Sequence, residues 1–172
     1  MNDKNILILG AGVSGLSTGI LLLKEGYKVH IWAKDLPPNT TSNIAAAFWY
    51  PYLVNPRDKA TKWGGFTLKY LQDNALNDLP SGCIKRTVTE LFEKKVDEPW
   101  WRNAVAHYHR PTADELPDGY IDGYQTEAVL MDTSKYMDWL LNQYKSLGGT
   151  LEQAMASYSS SREIFVGSSI SK

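Results

Sequence analysis

Asn5-Ile-Leu-Ile-Leu-Gly-Ala-Gly-Val-Ser-Gly-Leu-Ser-Thr-Gly19 is the stretch on which the reading of this sequence turns. Asn5 to Leu9, apolar after its first residue, has the length and character of a buried parallel strand. It runs straight into Gly10, Gly12 and Gly15, and then into an apolar segment that ends at Gly26. Strand, glycine turn and helix in that order and at that spacing form a dinucleotide-binding unit. Gly10 permits the tight turn, Gly12 lets a pyrophosphate approach the backbone, and Gly15 lets helix and strand pack closely. The phosphate charge then rests on the helix N-terminus, where unpaired N–H groups and the helix dipole favour an anion. Gly10, Ala11, Gly12, Val13, Ser14 and Gly15 are therefore candidate cofactor-binding residues. Gly19, one turn further along, offers room for the helix to sit tight against the sheet.

Two other readings of this stretch fail. Ile6 to Leu23 carries no charge and is long enough for a membrane span. Its four glycines, with Ser14, Ser17 and Thr18, make it too polar and its first half too poor a helix. A secretory leader would need a small-residue cleavage site before the charged Lys24-Glu25 pair, and none follows Lys4.

The wider composition is that of an ordinary globular chain. There are 172 residues, of which 22% are charged and 43% hydrophobic, with a formal net charge of −1. That length holds one domain with a sizeable core, or one domain and part of another. No Lys or Arg run calls for a nucleic-acid or acidic-membrane partner. The single cysteine, Cys83, excludes an internal disulfide framework, suits a reducing cytoplasm, and reads as a small hydrophobe.

Further along, the periodicity predicts a helix over Val13 to Glu25 and a strand over Tyr27 to Ala33, which completes a βαβ unit. Turn-rich Asp35 to Ser42 leads into the compact run Ile44 to Tyr52. Trp63, Phe66, Thr67, Tyr70 and Leu71 recur at helical spacing and predict a helix over Thr61 to Leu76. Ile84 to Phe92 reads as a strand. The clearest helix starts at an Asp132 or Thr133 cap, carries the stripe Met137, Leu140, Leu141 and Tyr144, and stops at Gly148-Gly149. A short strand follows Thr150, Tyr158 to Arg162 is low in complexity, and Glu163 to Gly167 reads as one more strand.

An acid near the end of the second strand accepts a hydrogen bond from the adenosine ribose. Counting about 20 residues from the last glycine reaches Lys34-Asp35. Asp35 suits that role, while Lys34 would favour a phosphorylated ribose, so spacing leaves FAD, NAD and NADP open. His107 and His109, with Asp114 or Glu115 nearby, are too few and too interrupted for a metal site.

The glycine segment, Val29-His-Ile-Trp-Ala-Lys-Asp-Leu-Pro-Pro38, and Thr40-Thr-Ser-Asn-Ile-Ala-Ala-Ala-Phe-Trp-Tyr-Pro-Tyr52 together closely resemble the FAD-dependent D-amino-acid oxidase family. The Trp63 segment, Arg110-Pro-Thr-Ala-Asp-Glu-Leu-Pro117 and Tyr136-Met-Asp-Trp-Leu140 agree in order, so the likeness extends to about Leu151. The resemblance implies an α/β fold: a Rossmann-like FAD-binding unit over 1–48 and 128–172, with part of an α+β substrate domain over 49–127. It implies that Ala33, Lys34 and Asp35 lie along the adenosine end of FAD, and Thr40, Thr41 and Ser42 along its phosphates and ribityl chain. Ala46, Ala47 and Phe48 would border the flavin, and Tyr50 and Tyr52 the substrate. Trp49, Tyr50 and Tyr52 are also readable as plain core aromatics.

The implied reaction takes hydride from a small-molecule D-amino acid onto the flavin, with dioxygen as final acceptor. Its products are hydrogen peroxide, ammonia and a 2-oxo acid. No metal is required. The family's carboxylate-clamping arginine, pocket tyrosine and second glycine-rich segment have no counterpart here, so the sequence reads as truncated against the family and its catalytic residues are not assigned. A complementing polypeptide or homo-oligomer is the partner this implies. Ser-Ser-Ile-Ser-Lys172 carries no peroxisomal tripeptide, which leaves the cytoplasm as the expected location.

Overall fold

The computed structural model describes residues 4–51, 54–105, 107–158 and 164–167. The chain runs β1 (Asn5–Leu9), α1 (Val13–Lys24), β2 (Lys28–Ala33), α2 (Thr41–Ile44), β3 (Ala47–Phe48) and α3 (Arg57–Tyr70). It continues with β4 (Cys83–Phe92), β5 (Tyr108–His109), β6 (Asp122–Met131), α4 (Thr133–Ser146), β7 (Thr150–Gln153), β8 (Met155–Tyr158) and β9 (Ile164–Gly167). The chain divides into two units: residues 1–46 with 132–172, and residues 47–131. No described helix is long and apolar enough to cross a membrane.

The first unit is a parallel α/β sheet in the order β1-β2-β7. Parallel strands need crossovers, and α1 and α4 supply them. Both helices pack on the same face. Leu16 and Ile20 of α1, Ile31 and Val29 of β2, and Met137, Leu140 and Tyr144 of α4 are all buried there. β1 departs from the wholly buried strand that its apolar run predicts. Only alternate residues turn inward, and Leu7 and Leu9 stay 46% and 54% exposed. Period-two alternation sends them to the face opposite the helices. After β7, Ala154 N–H donates to the Ala33 carbonyl at 3.0 Å. β8 and β9 then pair antiparallel, so the predicted strand near Glu163 is present as Ile164–Gly167. The serine-rich run Ser159 to Arg162 lies outside the described residues.

Tyr144 holds this unit together. Its side chain is fully buried, and its hydroxyl lies 3.0 Å from the Val29 carbonyl and 2.8 Å from the Thr150 carbonyl. It thereby ties α4 to β2 and to the start of β7. The ring fits because two neighbours have no side chain. A Cβ added to Gly19 would meet Tyr144 Cε2 at 2.8 Å, and one added to Gly149 would meet Cζ at 2.3 Å. Gly19 thus makes room chiefly for an α4 ring rather than for the sheet, whose nearest atom, Ile31 Cδ1, is 3.5 Å away. Across β2 and β7, Trp32 Nε1 donates to Glu152 at 3.1 Å and His30 bonds Thr150, both pairs sitting in register.

The second unit is an antiparallel sheet centred on β6. β4 pairs with its full length along one edge, from Cys83↔Met131 to Phe92↔Asp122, and β3 and β5 share the other. β6 accordingly has no exposed residue: six of its ten are buried and the other four half-buried. α3 begins at Arg57, four residues before the predicted Thr61, and gives way at Leu71–Ala75 to a wider π turn. Trp49 is core: it is 8% exposed, and its indole N–H donates to the Gly64 carbonyl at 2.9 Å. Cys83 is buried and its thiol is pushed up by that burial, which suits the inert role its sequence context predicts.

Arg110 and Asp122 pin the loops of this unit. Arg110 Nε donates to Asp122 Oδ1 at 2.9 Å and Nη2 to Oδ2 at 2.5 Å, while Nη1 reaches Glu98 at 3.0 Å. Asp122, 1% exposed, also accepts from the backbone N–H groups of Val96 and Gly123, both at 2.9 Å. The Arg110 guanidinium, followed by the Val96 N–H, holds the Asp122 carboxyl far below its ordinary value of 3.8.

Three outcomes follow. Gly19→Ala should destabilise the fold by about 1–3 kcal/mol through overpacking against Tyr144, measured by urea unfolding. Leu21→Ala, at a position 56% exposed, should change stability by under about 0.5 kcal/mol. Because the folded-state pKa of Asp122 is depressed, its stabilisation is complete above the unfolded value and is lost as pH falls below about 4. Asp122→Asn should therefore lower Tm at neutral pH, and the gap to wild type should close as pH falls towards about 2. A gap of constant size would contradict this assignment.

Candidate functional site

The glycine turn is built from a crossing of backbones. Gly10 adopts φ +107°, a left-handed conformation that favours glycine, and its N–H donates to the Trp32 carbonyl at 2.7 Å. The turn is thereby fastened to the end of β2. Its own carbonyl then occupies the space beside Gly15: a Cβ there would lie 1.9 Å from Gly10 O and 3.5 Å from Ile8 Cγ2. Only glycine lets α1 start this close to β1.

α1 is 12 residues long, with Gly12 at its cap and neither a capping side chain nor an acid in its first turn. Its first intrahelical bond runs from Leu16 N–H to the Gly12 carbonyl at 3.0 Å. The Ser14 and Gly15 N–H groups precede that bond, and the dipole makes this end partially positive. Val13 N–H donates to Ser42 Oγ at 3.1 Å, which brings the second predicted segment onto the first. A Cβ at Gly12 would meet only Ser42, at 3.0 Å from its Oγ.

That second segment is anchored from both ends. Thr40, 8% exposed, donates its hydroxyl to Asn43 Oδ1 at 2.7 Å. Thr133, at the start of α4, donates to the carbonyls of Asn43 and Ala45 at 3.1 and 2.8 Å. Asp132 supplies the α4 cap, its carboxylate accepting from Ser134 Oγ at 2.7 Å and from the Lys135 N–H. Of the two residues that the sequence offers as caps, Asp132 therefore takes the task and Thr133 is a tether. Gln153 of β7 holds the Lys34 carbonyl at 2.9 Å. Nothing in local sequence pattern marks Thr133 or Gln153 for these contacts, because each acts across more than 80 residues of chain.

The predicted residues differ in what they present. Ala11, Ala33 and Thr40 are buried, Gly10, Gly12, Gly15 and Ser42 are half-buried, and Val13, Ser14, Lys34, Asp35, Thr41 and Ala46 are exposed. All of these belong to the first unit, whereas Ala47, Phe48 and Tyr50 belong to the second. Tyr52 lies outside the described residues. The anion-attracting amides, the side-chain-free surface at Gly12 and the hydroxyls of Thr41 and Ser42 fit a dinucleotide pyrophosphate.

In the second unit Tyr50 sits in an aromatic cluster. Its ring centroid is 5.6 Å from that of Phe48 and 5.3 Å from that of Trp101, and Trp101 lies 5.8 Å from Tyr124 in an edge-on arrangement. The Tyr50 hydroxyl donates to Glu90 at 2.6 Å. Burial first, and then that carboxylate, push the phenol pKa well above its ordinary range. Sequence periodicity placed Glu90 on a strand but gave no sign of this partner. His109 pairs with Glu115 at 3.0 Å and His107 with Glu127 at 3.3 Å, so the two histidines answer to different carboxylates.

Residues 5–162 match the family model described as FAD dependent oxidoreductase. The chain is 53% identical over 153 residues to a D-amino-acid oxidase of Dictyostelium discoideum, covering 87% of this chain and 44% of that protein. A D-amino-acid oxidase of Rubrobacter xylanophilus is 36% identical over 146 residues, covering 85% and 45%. The chain thus spans less than half the length of these relatives. Among solved structures, L-α-glycerophosphate oxidase of Mycoplasma pneumoniae, solved with FAD bound, superposes with a TM-score of 0.69 at 14% identity, covering 96% of this chain and 50% of that one. Glycine oxidase of Geobacillus kaustophilus gives 0.66 at 17% identity, covering 90% and 49%. At such identities these two likenesses bear on fold alone. With the glycine crossing, the anchored hydroxyl segment and the family match in agreement, the chain belongs to the FAD-dependent oxidoreductase family, whose cofactor is FAD.

Proposed function

We propose that this chain is the FAD-binding part of an oxidase that deaminates D-amino acids, and that the 172 residues alone bind the cofactor without turning over substrate. The observation that carries this reading is the uncapped first turn of α1, with the free Ser14 and Gly15 amides beside the bare Gly12 surface. The pyrophosphate rests on these amides, and the hydroxyls of Thr41 and Ser42 add donors along the phosphates and ribityl chain. Asp35 accepts from the adenosine ribose, with Ala33 and Lys34 contributing backbone beside it. Ala46, Ala47 and Phe48 border the flavin ring, the alanines letting its flat face approach the main chain. The family resemblance assigns Tyr50 and Tyr52 to the side where substrate binds.

Bound FAD supplies the two-electron acceptor and the route to dioxygen, which no side chain can provide. The chain's own task is to bind and orient. Tyr50, its hydroxyl engaged with Glu90 and its pKa raised, stays protonated at neutral pH and presents a fixed aromatic wall rather than a base. The names of the curated relatives support the substrate class, a D-amino acid.

The purified chain should be yellow and show the flavin absorption bands, and Gly12→Ala should fold normally yet bind FAD at least about tenfold more weakly, read by flavin fluorescence. The Gly12 substitution is tolerable for folding because the only atoms it meets belong to the movable Ser42 side chain. D-alanine or D-aspartate should yield no peroxide from the isolated chain. A colourless chain that binds NADPH instead would overturn the cofactor assignment, and robust peroxide release would overturn the division of labour.

A further inference from the structure

β4 is ten residues long and pairs with β6 along one side; among the described residues no strand pairs with its other side. The ladder decides which groups face that open side. The Val129 carbonyl accepts from the Trp49 N–H at 2.8 Å, so Val129 is turned away from β4. Directly opposed residues of an antiparallel pair either exchange hydrogen bonds or both look outward. Lys85 stands opposite Val129 and is therefore turned away from β6. By alternation the N–H and C=O groups of Lys85, Thr87, Thr89 and Leu91 all face the open side. Lys85, Arg86, Thr87 and Thr89 are exposed, as an uncovered edge requires.

A long open edge is a template for another strand, and charge is the usual means of blunting it. β4 carries two cations near its start. Lys85 is engaged within its own sheet, 2.9 Å from Glu127. Arg86 donates to a main-chain carbonyl, that of Lys85, at 2.9 Å. The β4 sequence is also complementary to itself. When two copies run antiparallel about a two-fold axis through Val88, Arg86 falls opposite Glu90, Ile84 opposite Phe92 and Thr87 opposite Thr89. Arg86 thus meets Glu90 twice. Both residues belong to the set whose main-chain groups point back at β6, and across the new ladder such opposed side chains approach most closely. Tyr50 donates to Glu90 Oε2, and a carboxylate accepts a guanidinium on its second oxygen as well. Other registers are poorer. An axis through Thr87 sets Ile84 against Glu90, one through Thr89 sets Val88 against Glu90, and axes through Arg86 or Glu90 set like charges together.

We propose that the occupant of this edge is a second copy of the chain, the two β4 strands pairing antiparallel about Val88 with two Arg86–Glu90 ion pairs. The main-chain groups of Lys85, Thr87, Thr89 and Leu91 then make about eight hydrogen bonds between the copies. A two-fold contact of this kind uses the same surface on both partners and closes at two. It involves the second unit alone and holds whether or not a cofactor is bound.

The test is the mass of the 172-residue chain in solution, followed by sedimentation velocity over a range of concentrations. Wild type should pass from monomer to dimer and stop there. Arg86→Glu, which sets a carboxylate opposite Glu90 at two places, should weaken the dimer at least about tenfold, while Arg86→Lys should stay within about threefold of wild type. Thr87→Pro removes an N–H that faces the open side and spares the β6 ladder, so it should leave a folded monomer. Cross-linking checks the register without relying on those variants. Under mild oxidation Val88→Cys, which faces itself across the axis, should give a disulfide-linked dimer, and Ile84→Cys, far from its own copy, should not. A wild type that stays monomeric up to about 0.1 mM, or that grows beyond two copies, would overturn the proposal. So would an undiminished dimer in a folded Arg86→Glu or Thr87→Pro, or cross-linking of Ile84→Cys in place of Val88→Cys. A dimer that survives Arg86→Glu and is lost when Leu7 and Leu9 are both changed to Ser would place the contact on the first unit and overturn it as well.

Discussion

The crossing of the Gly10 carbonyl over the first turn of α1 is the constraint from which the first unit follows. With 1.9 Å between that oxygen and the place where a Gly15 Cβ would sit, no other residue is possible there without moving backbone. The close approach brings the start of α1 against the end of β1, and the Gly10 N–H bond to Trp32 fixes β2 beside it. The helix axis is then aimed so that its uncapped amides and its dipole converge beyond the strand ends, where ligands of open parallel sheets bind. Ser42 completes the arrangement by accepting the Val13 N–H from a segment 29 residues away, which leaves the Ser14 and Gly15 amides free.

A second constraint acts through Tyr144. A buried tyrosine is tolerable only when its hydroxyl finds partners, and the carbonyls of Val29 and Thr150 provide them. The ring's flat faces need space, and Gly19 and Gly149 leave it. One side chain thus sets the spacing of α1, α4, β2 and β7 together. The second unit is organised differently, by a long β6 strand paired on both edges and by the Arg110–Asp122–Glu98 bonds that tie its loops down.

Much of this was legible in the sequence. The 3.6-residue period gave α1 and α4 nearly to the residue, the apolar run gave β1, and alternating segments rich in β-branched and aromatic residues gave β2 and β4. The glycine spacing named the turn. Those signals are local, and local signals survive in a linear string. What escaped is non-local. Gly19 and Gly149 read as a helix-packing residue and a stop signal, because the ring that needs them arrives from Tyr144. Thr133 read as a cap, because its acceptors at Asn43 and Ala45 are 90 and 88 residues away in sequence. Glu90 read as a strand residue, because its pairing with Tyr50 spans 40 positions. β1 read as buried on both faces, because an apolar run carries no record of whether a layer covers its second face. The FAD assignment came from family resemblance rather than spacing, since Lys34-Asp35 admits more than one dinucleotide.

The central claim is that the backbone amides opening α1 cradle the pyrophosphate of FAD. Crystals of the chain grown with FAD test it directly. The account predicts phosphate oxygens within hydrogen-bond distance of the Ser14 and Gly15 N–H groups, with the adenosine end running towards Asp35. FAD bound elsewhere, or a Gly10–Gly15 segment refolded as continuous helix, would contradict it.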